Sequence, residues 1–174
     1  LLAAWGLSNH LLVRLMAPNA KWQAARQSGW LAGKTFAIGW ISLALALFIL
    51  HKQSGQISIQ AMLHQFNPSD GYQLAALALI TLTAMTQSAI WPFHRWLVSS
   101  LNSPTPVSAV MHAGLVNGGG FLLARFAPMY LALPSLLNVL LILGFLTAMV
   151  GTLWKLLQAD VKRMLACSTL GQMG

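Results

Sequence analysis

Acidic side chains are almost missing from this chain. Asp70 and Asp160 are its only carboxylates in 174 residues, and glutamate is absent. Charged residues of both signs make up 7%, against about 25% in a soluble domain. Two acids cannot solvate the surface of a globule this size, which argues against a soluble all-helical protein. Cysteine is nearly as scarce. Cys167 stands alone, so a disulfide framework within the chain and a cysteine-rich metal site are excluded. Its ordinary reading is a small packed apolar residue. There is no Gly-rich phosphate loop, no carboxylate pair, and the five histidines do not fall at metal-ligand spacing. Catalysis within this chain is not expected, nor is a bound metal or cofactor.

What is present is oil. Hydrophobic residues make up 57%, in long runs separated by short polar punctuation, as bilayer-spanning helices require. The net charge of +8 does not point to nucleic acid, because the lysines and arginines sit singly at the ends of apolar runs and form no block. The expected fold class is all-α, a polytopic transmembrane helix bundle in one domain over residues 1–174. Spans are expected at 1–17, 34–50, 72–97, 104–127, 130–157 and, in part, 164–174. The 19–33 connection is polar and basic, with a Trp22/Trp30 pair suited to the water–lipid interface. In the 51–71 connection, Ile57, Ile59, Met62, Leu63 and Phe66 suggest a short interfacial helix. Leu1 opens inside an apolar run and Gly174 ends in another, so the sequence reads as an internal piece of a longer membrane protein.

Alternation of these spans sorts the basic residues. Arg14, Lys21, Arg26, Lys34, Arg95, Lys155, Lys162 and Arg163 fall on one side, leaving Lys52 and Arg125 on the other. The positive-inside bias makes the first side cytoplasmic.

Polar residues at membrane depth are the candidate functional groups. In the third span, Thr83, Gln87 and His94 are spaced four and then seven apart, close to one helix face. Pro92 has no N–H, and in a helix its ring would displace the Ser88 carbonyl four residues back. A hydroxyl, an amide, a freed carbonyl and an imidazole on one face suit a hydrated proton path; a kink used only for packing is the alternative. In the fourth span, Ser108 and His112 share a face. Histidine exchanges protons near neutral pH, and an ionisable group at membrane depth is a functional candidate by default. The alternative is a neutral His112 that ties helices together. Asn117 and the Gly118–Gly120 run follow, and the glycines read best as close helix packing. Asp160, Lys162 and Arg163 mark a hinge, with Asp160 a helix N-cap before it is a partner contact.

Two stretches carry a family resemblance. AMTQSAIWPFHRWLVSSLNSPTPVSAVMHAG (Ala84–Gly114) resembles the core motif of the antiporter-like membrane proteins, which include the large proton-channel subunits of respiratory complex I and the Mrp sodium/proton antiporters. DVKRMLACSTLGQMG (Asp160–Gly174) is similar to that family's segment after its ninth helix. The resemblance covers essentially the whole chain, as an antiporter-like subunit fragment from about the fifth to the start of the tenth helix. Within the family, the Trp91–Pro128 stretch looks most like the membrane subunit of two-part inorganic carbon transporters.

That resemblance implies a multi-pass subunit in the bacterial cell inner membrane that conducts a cation, H⁺ being expected. It implies a cytoplasmic partner resembling a zinc β-carbonic anhydrase, driven to hydrate CO₂ to bicarbonate. Zinc would sit on that partner. The rival readings are a proton-pumping complex I or Mrp subunit, and a membrane scaffold that moves nothing. Complex I relatives carry a lysine where Gln87 stands, and a glutamate in the helix matching 1–17, where the nearest position is about Ala3. Glutamine cannot titrate. The resemblance therefore implies a downhill pathway, or one centred on His112, which matches the family's histidine after PTPVSA. His94 matches its PFH histidine.

Overall fold

The computed structural model describes residues 1–17, 22–100 and 103–174. Lys21, assigned above to the cytoplasmic side, lies outside the described residues. Among the described residues the regular structure is entirely helical: α1 (Leu2–Met16), α2 (Gln23–Ser54), α3 (Ile59–His64), α4 (Gly71–Gln87), α5 (Arg95–Ser99), α6 (Thr105–Ala113), α7 (Gly118–Arg125), α8 (Ala127–Leu131), α9 (Pro134–Leu156) and α10 (Val161–Met173). A 3-10 turn, Leu115–Asn117, links α6 to α7.

The chain is greasy on the outside. Within α9 only Thr147 and Gly151 are buried, while Leu141, Phe145 and Leu153 face outward. A helix apolar all round, with its bulky residues turned out, is matched to lipid. By length and composition α2, the Thr105–Arg125 run and α9 can each cross a membrane.

The two acids both start helices. Asp70 Oδ1 accepts the Tyr72 N–H at 3.0 Å and begins α4; Asp160 Oδ1 accepts the Lys162 N–H at 2.8 Å and begins α10. Each satisfies a backbone donor that the first helical turn leaves open. Helix α2 ends at Gly55, whose φ of 64° suits the left-handed cap and lets its N–H reach the His51 carbonyl at 2.8 Å.

Several expected boundaries move. Residues 23–33, read as a connection, form the first turns of α2. Gln23, Ala24, Ala25 and Arg26 are good helix formers, and no proline interrupts them. The 32 residues of α2 make a rod of about 48 Å, well beyond the ~30 Å hydrocarbon core. Lys34 Nζ sits 3.1 Å from the centre of the Trp30 ring, a cation–π contact at the side of this rod. The expected 72–97 span is not one kinked helix. It stops at Gln87, turns through residues 88–94, where Ala89 adopts φ 55° and the Trp91–Pro92 peptide is cis, and restarts as α5. The 104–127 span splits at Gly114–Asn117, and the long 130–157 stretch resolves into α8 and α9, with Pro134 opening α9.

Helices α2 and α4 form the central pair, flanked by α1 and α7; α9 and α10 form a second pair, bridged to α2 by α5. One apolar cluster joins Leu43, Leu50, Ile80, Phe126 and Tyr130, and a second joins Leu12, Phe36, Ala89, Trp96 and Met111. The α4 terminus connects them. Small residues set the close approaches. A Cβ on Gly151 would run into the Gly171 backbone, and one on Gly119 into Ser88 Oγ and the Ala84 carbonyl.

Gly151→Leu should therefore separate α9 from α10 and destabilise the protein by about 1–3 kcal/mol, as overpacking does. Thermal unfolding of the full-length protein in detergent measures this. Gly120→Leu, at a site with nothing within 4 Å, should leave the midpoint unchanged.

Candidate functional site

A helix that ends inside an apolar protein strands its last carbonyls. At the end of α4 the carbonyls of Thr83 to Thr86 each have a donor. Thr83 O accepts from Thr86 Oγ1 at 2.8 Å, and Ala84 O from the Ser88 N–H at 2.9 Å. Met85 O accepts from the Ile90 N–H at 3.0 Å, and Thr86 O from the Trp96 indole at 3.0 Å. Beyond the turn, the Trp91 N–H donates to Thr147 Oγ1 at 3.1 Å. The break is stabilised by side chains from α5 and α9 as well as by its own backbone.

Gln87 lies at this terminus, 3% exposed. Its Nε2 donates to the Leu115 carbonyl and to Asn9 Oδ1, both at 3.0 Å, and its Oε1 accepts from Asn9 Nδ2 at 3.0 Å. The Leu115 carbonyl can only accept, so it fixes which end of the Gln87 amide is nitrogen, and the reciprocal pair fixes Asn9 in turn. Next to it, Ser88 Oγ donates to Val116 O at 2.7 Å. Both side chains thus bind the 3-10 turn where the neighbouring span is itself interrupted. Two broken helices meet here, end against break.

Cavities flank this junction. One, of about 280 Å³, is lined by Trp5, Ser8, Gln87 and Gly118; the indole nitrogen of Trp5, on α1, is buried without a hydrogen-bond partner. Another, of about 350 Å³, is lined by Ser88, Asn117 and Gln172 between α4, α7, α9 and α10. Both have polar groups and room for several waters. His112 stands half-buried on α6, one turn after half-buried Ser108, with its Nδ1 closed off and unpartnered.

The geometry regroups the residues singled out in the sequence. Gln87 and Ser88 come together, but through the Ser88 side chain and not a carbonyl freed by proline. Pro92 lies in a turn after α4 has ended, so its ring displaces no helical bond. Thr83 is fully buried and donates to the carbonyls of Leu79 and Gly39, both at 3.0 Å, clamping α4 to α2. His94 is no longer on the α4 face. It precedes the first turn of α5 and lines a separate pocket with Arg95, Arg163 and Trp154. Lys162 supplies the backbone donor for the Asp160 cap. Asn9 was missed. Its signal in the sequence is an amide in the middle of an apolar run, and the structure buries it.

A polytopic membrane bundle with paired helix breaks and hydrogen-bonding side chains at the junction defines a membrane transport class. The model of the family "NADH:quinone oxidoreductase/Mrp antiporter, TM" matches residues 1–174, and the chain belongs to this family. It is 39% identical over 98% of its length to the "Probable inorganic carbon transporter subunit DabB" of Bacillus subtilis (strain 168), and 37% identical over its full length to the protein of the same description from Bacillus anthracis. It spans about a third of the length of each, 34% in both cases. The solved Mrp complex from Dietzia sp. DQ12-45-1b superimposes on 99% of the chain with a TM-score of 0.91 at 26% identity, covering 19% of the matched chain.

Asn9→Leu or Gln87→Leu alone should each destabilise the protein, because the first leaves Gln87 Oε1 without its donor and the second leaves the Asn9 amide unpaired. The double variant should be less damaging than the sum, with a coupling of about 0.6–1.7 kcal/mol, typical of polar pairs in membrane proteins. A double-mutant cycle on detergent unfolding of the full-length protein measures it.

Proposed function

We propose that this chain forms part of the membrane subunit of an energy-coupled inorganic carbon transporter in the bacterial inner membrane. It conducts a cation, H⁺, and the downhill flow drives hydration of CO₂ to bicarbonate on a cytoplasmic, carbonic-anhydrase-like partner, DabA, that holds the zinc. The observation that carries this reading is the similarity to DabB proteins along essentially the whole chain. The junction geometry supports it. Where complex I relatives place a lysine, Gln87 forms a closed, neutral amide pair with Asn9. No proton can be stored there, so the titrating step falls to His112 on α6. Ser108 lies one turn before it on α6, while Gln87 and Ser88 line the two cavities that flank the junction and give water its polar contacts there.

A second reading has one observation of its own. The superposition on an Mrp complex fits a proton-translocating subunit of an Mrp-type Na⁺/H⁺ antiporter or an NADH-quinone oxidoreductase. Na⁺/H⁺ exchange by the reconstituted protein would favour it over carbon transport. A scaffold that only anchors its partner is the remaining alternative.

His112→Ala in the full-length protein, expressed with its partner, separates conduction from scaffolding. Uptake of labelled inorganic carbon should fall on the order of a hundredfold, as loss of a positioned proton-transfer group does, while the partner still copurifies. Full uptake with intact assembly would remove His112 from the route and favour the scaffold.

A further inference from the structure

A pocket of about 510 Å³ lies where α2, α5, α9 and α10 converge, away from the α4 junction. Its walls carry Arg95, Arg163, His94 and Gln158, together with Trp154 and Val98. No carboxylate lines it, and the chain's nearest acid in sequence, Asp160, is engaged as a helix cap. The imidazole of His94 packs against Trp154, ring centres 5.4 Å apart, which holds both at the wall. Arg95 opens α5, Arg163 lies in the first turn of α10, and Trp154 is in the last turn of α9. The charged and aromatic part of the wall therefore comes from helix ends, and exposed Leu156 and Leu157 follow Trp154 in the chain, as expected where a bundle meets the lipid–water boundary.

We infer that this pocket binds the phosphodiester of an anionic phospholipid. Two guanidinium groups offer planar forks that match phosphate oxygens in pairs. Basic pockets between spanning helices at the interface are suited to acidic lipid headgroups. The apolar part of the wall and the volume select an amphiphile over a free oxyanion. A space of this size holds a drug-sized molecule, and Val98 and Trp154 give acyl chains a surface that a hydrated ion cannot use. The assignment does not depend on the proposed cation route: His94 acts here as a wall and not as a relay.

The test uses the full-length protein, delipidated in detergent and titrated with phosphatidylglycerol or phosphatidylcholine, with bound lipid counted by native mass spectrometry. Phosphatidylglycerol should bind at least about tenfold more tightly, the scale of one charge-assisted contact. The R95Q/R163Q pair should abolish the preference. Should that pair fail to fold, Arg95→Lys with Arg163→Lys retains charge but loses the forks, and the preference should fall several-fold. Equal binding of the two lipids, or an unchanged preference in either folded double variant, overturns the inference. Displacement of phosphatidylglycerol by millimolar phosphate or bicarbonate assigns the pocket to a free oxyanion and overturns the lipid reading.

Discussion

A backbone can be interrupted inside a bilayer only if the groups set loose find partners within the protein. The rest of this structure depends on how that requirement is met at the end of α4. Thr83, Ala84, Met85 and Thr86 each offer a carbonyl, and each has a donor. Those donors come from the turn itself and from Trp96 on α5, so the break fixes where α5 lies. Gln87 and Ser88 then reach the 3-10 turn of the adjacent span, which has the same requirement at Leu115 and Val116. Each irregularity stabilises the other. The glycines beyond the turn let α7 lie close enough for this, since a methyl group on Gly119 would strike Ser88.

The chemistry of the junction is amide and hydroxyl. Such groups orient water and pass hydrogen bonds along, but they do not change charge near neutral pH. A junction of this kind can be a conduit without being a store. In the cation route proposed above, the titrating group is therefore His112 on α6. His112 has a ring nitrogen shut away from solvent and without a partner. An unpartnered buried nitrogen is costly, and such exceptions in a folded protein call for a reason.

Much of the architecture was legible because a bilayer admits so few solutions. Apolar runs marked where α1, α2, α4 and α9 form as helices, and Asp160 announced its own cap. The interruption at Gly114–Asn117 was not legible, because LVNGGG reads equally well as a continuous small-residue face; a tertiary bond from Gln87 to Leu115 decides it. Pro92 signalled an irregularity correctly but not its form. A proline can kink a helix or follow its end, and the choice was made by Trp96, which bonds back to Thr86, and by Thr147, 56 positions on from its partner Trp91. The Asn9–Gln87 pair spans 78 positions, and no local spacing encodes it.

Helix α2 is too long for the oil it crosses. About 18 Å of a straight rod must tilt away or stand beyond the hydrocarbon, given roughly 1.5 Å per residue and a ~30 Å core. Its first turns are continuous with the buried segment, so this overhang has no hinge within it. Near its start, buried Ser28 donates through Oγ to the Ser99 carbonyl at 2.8 Å, so one unbroken rod ties the end of α5 to Gly39, where α4 is clamped by Thr83.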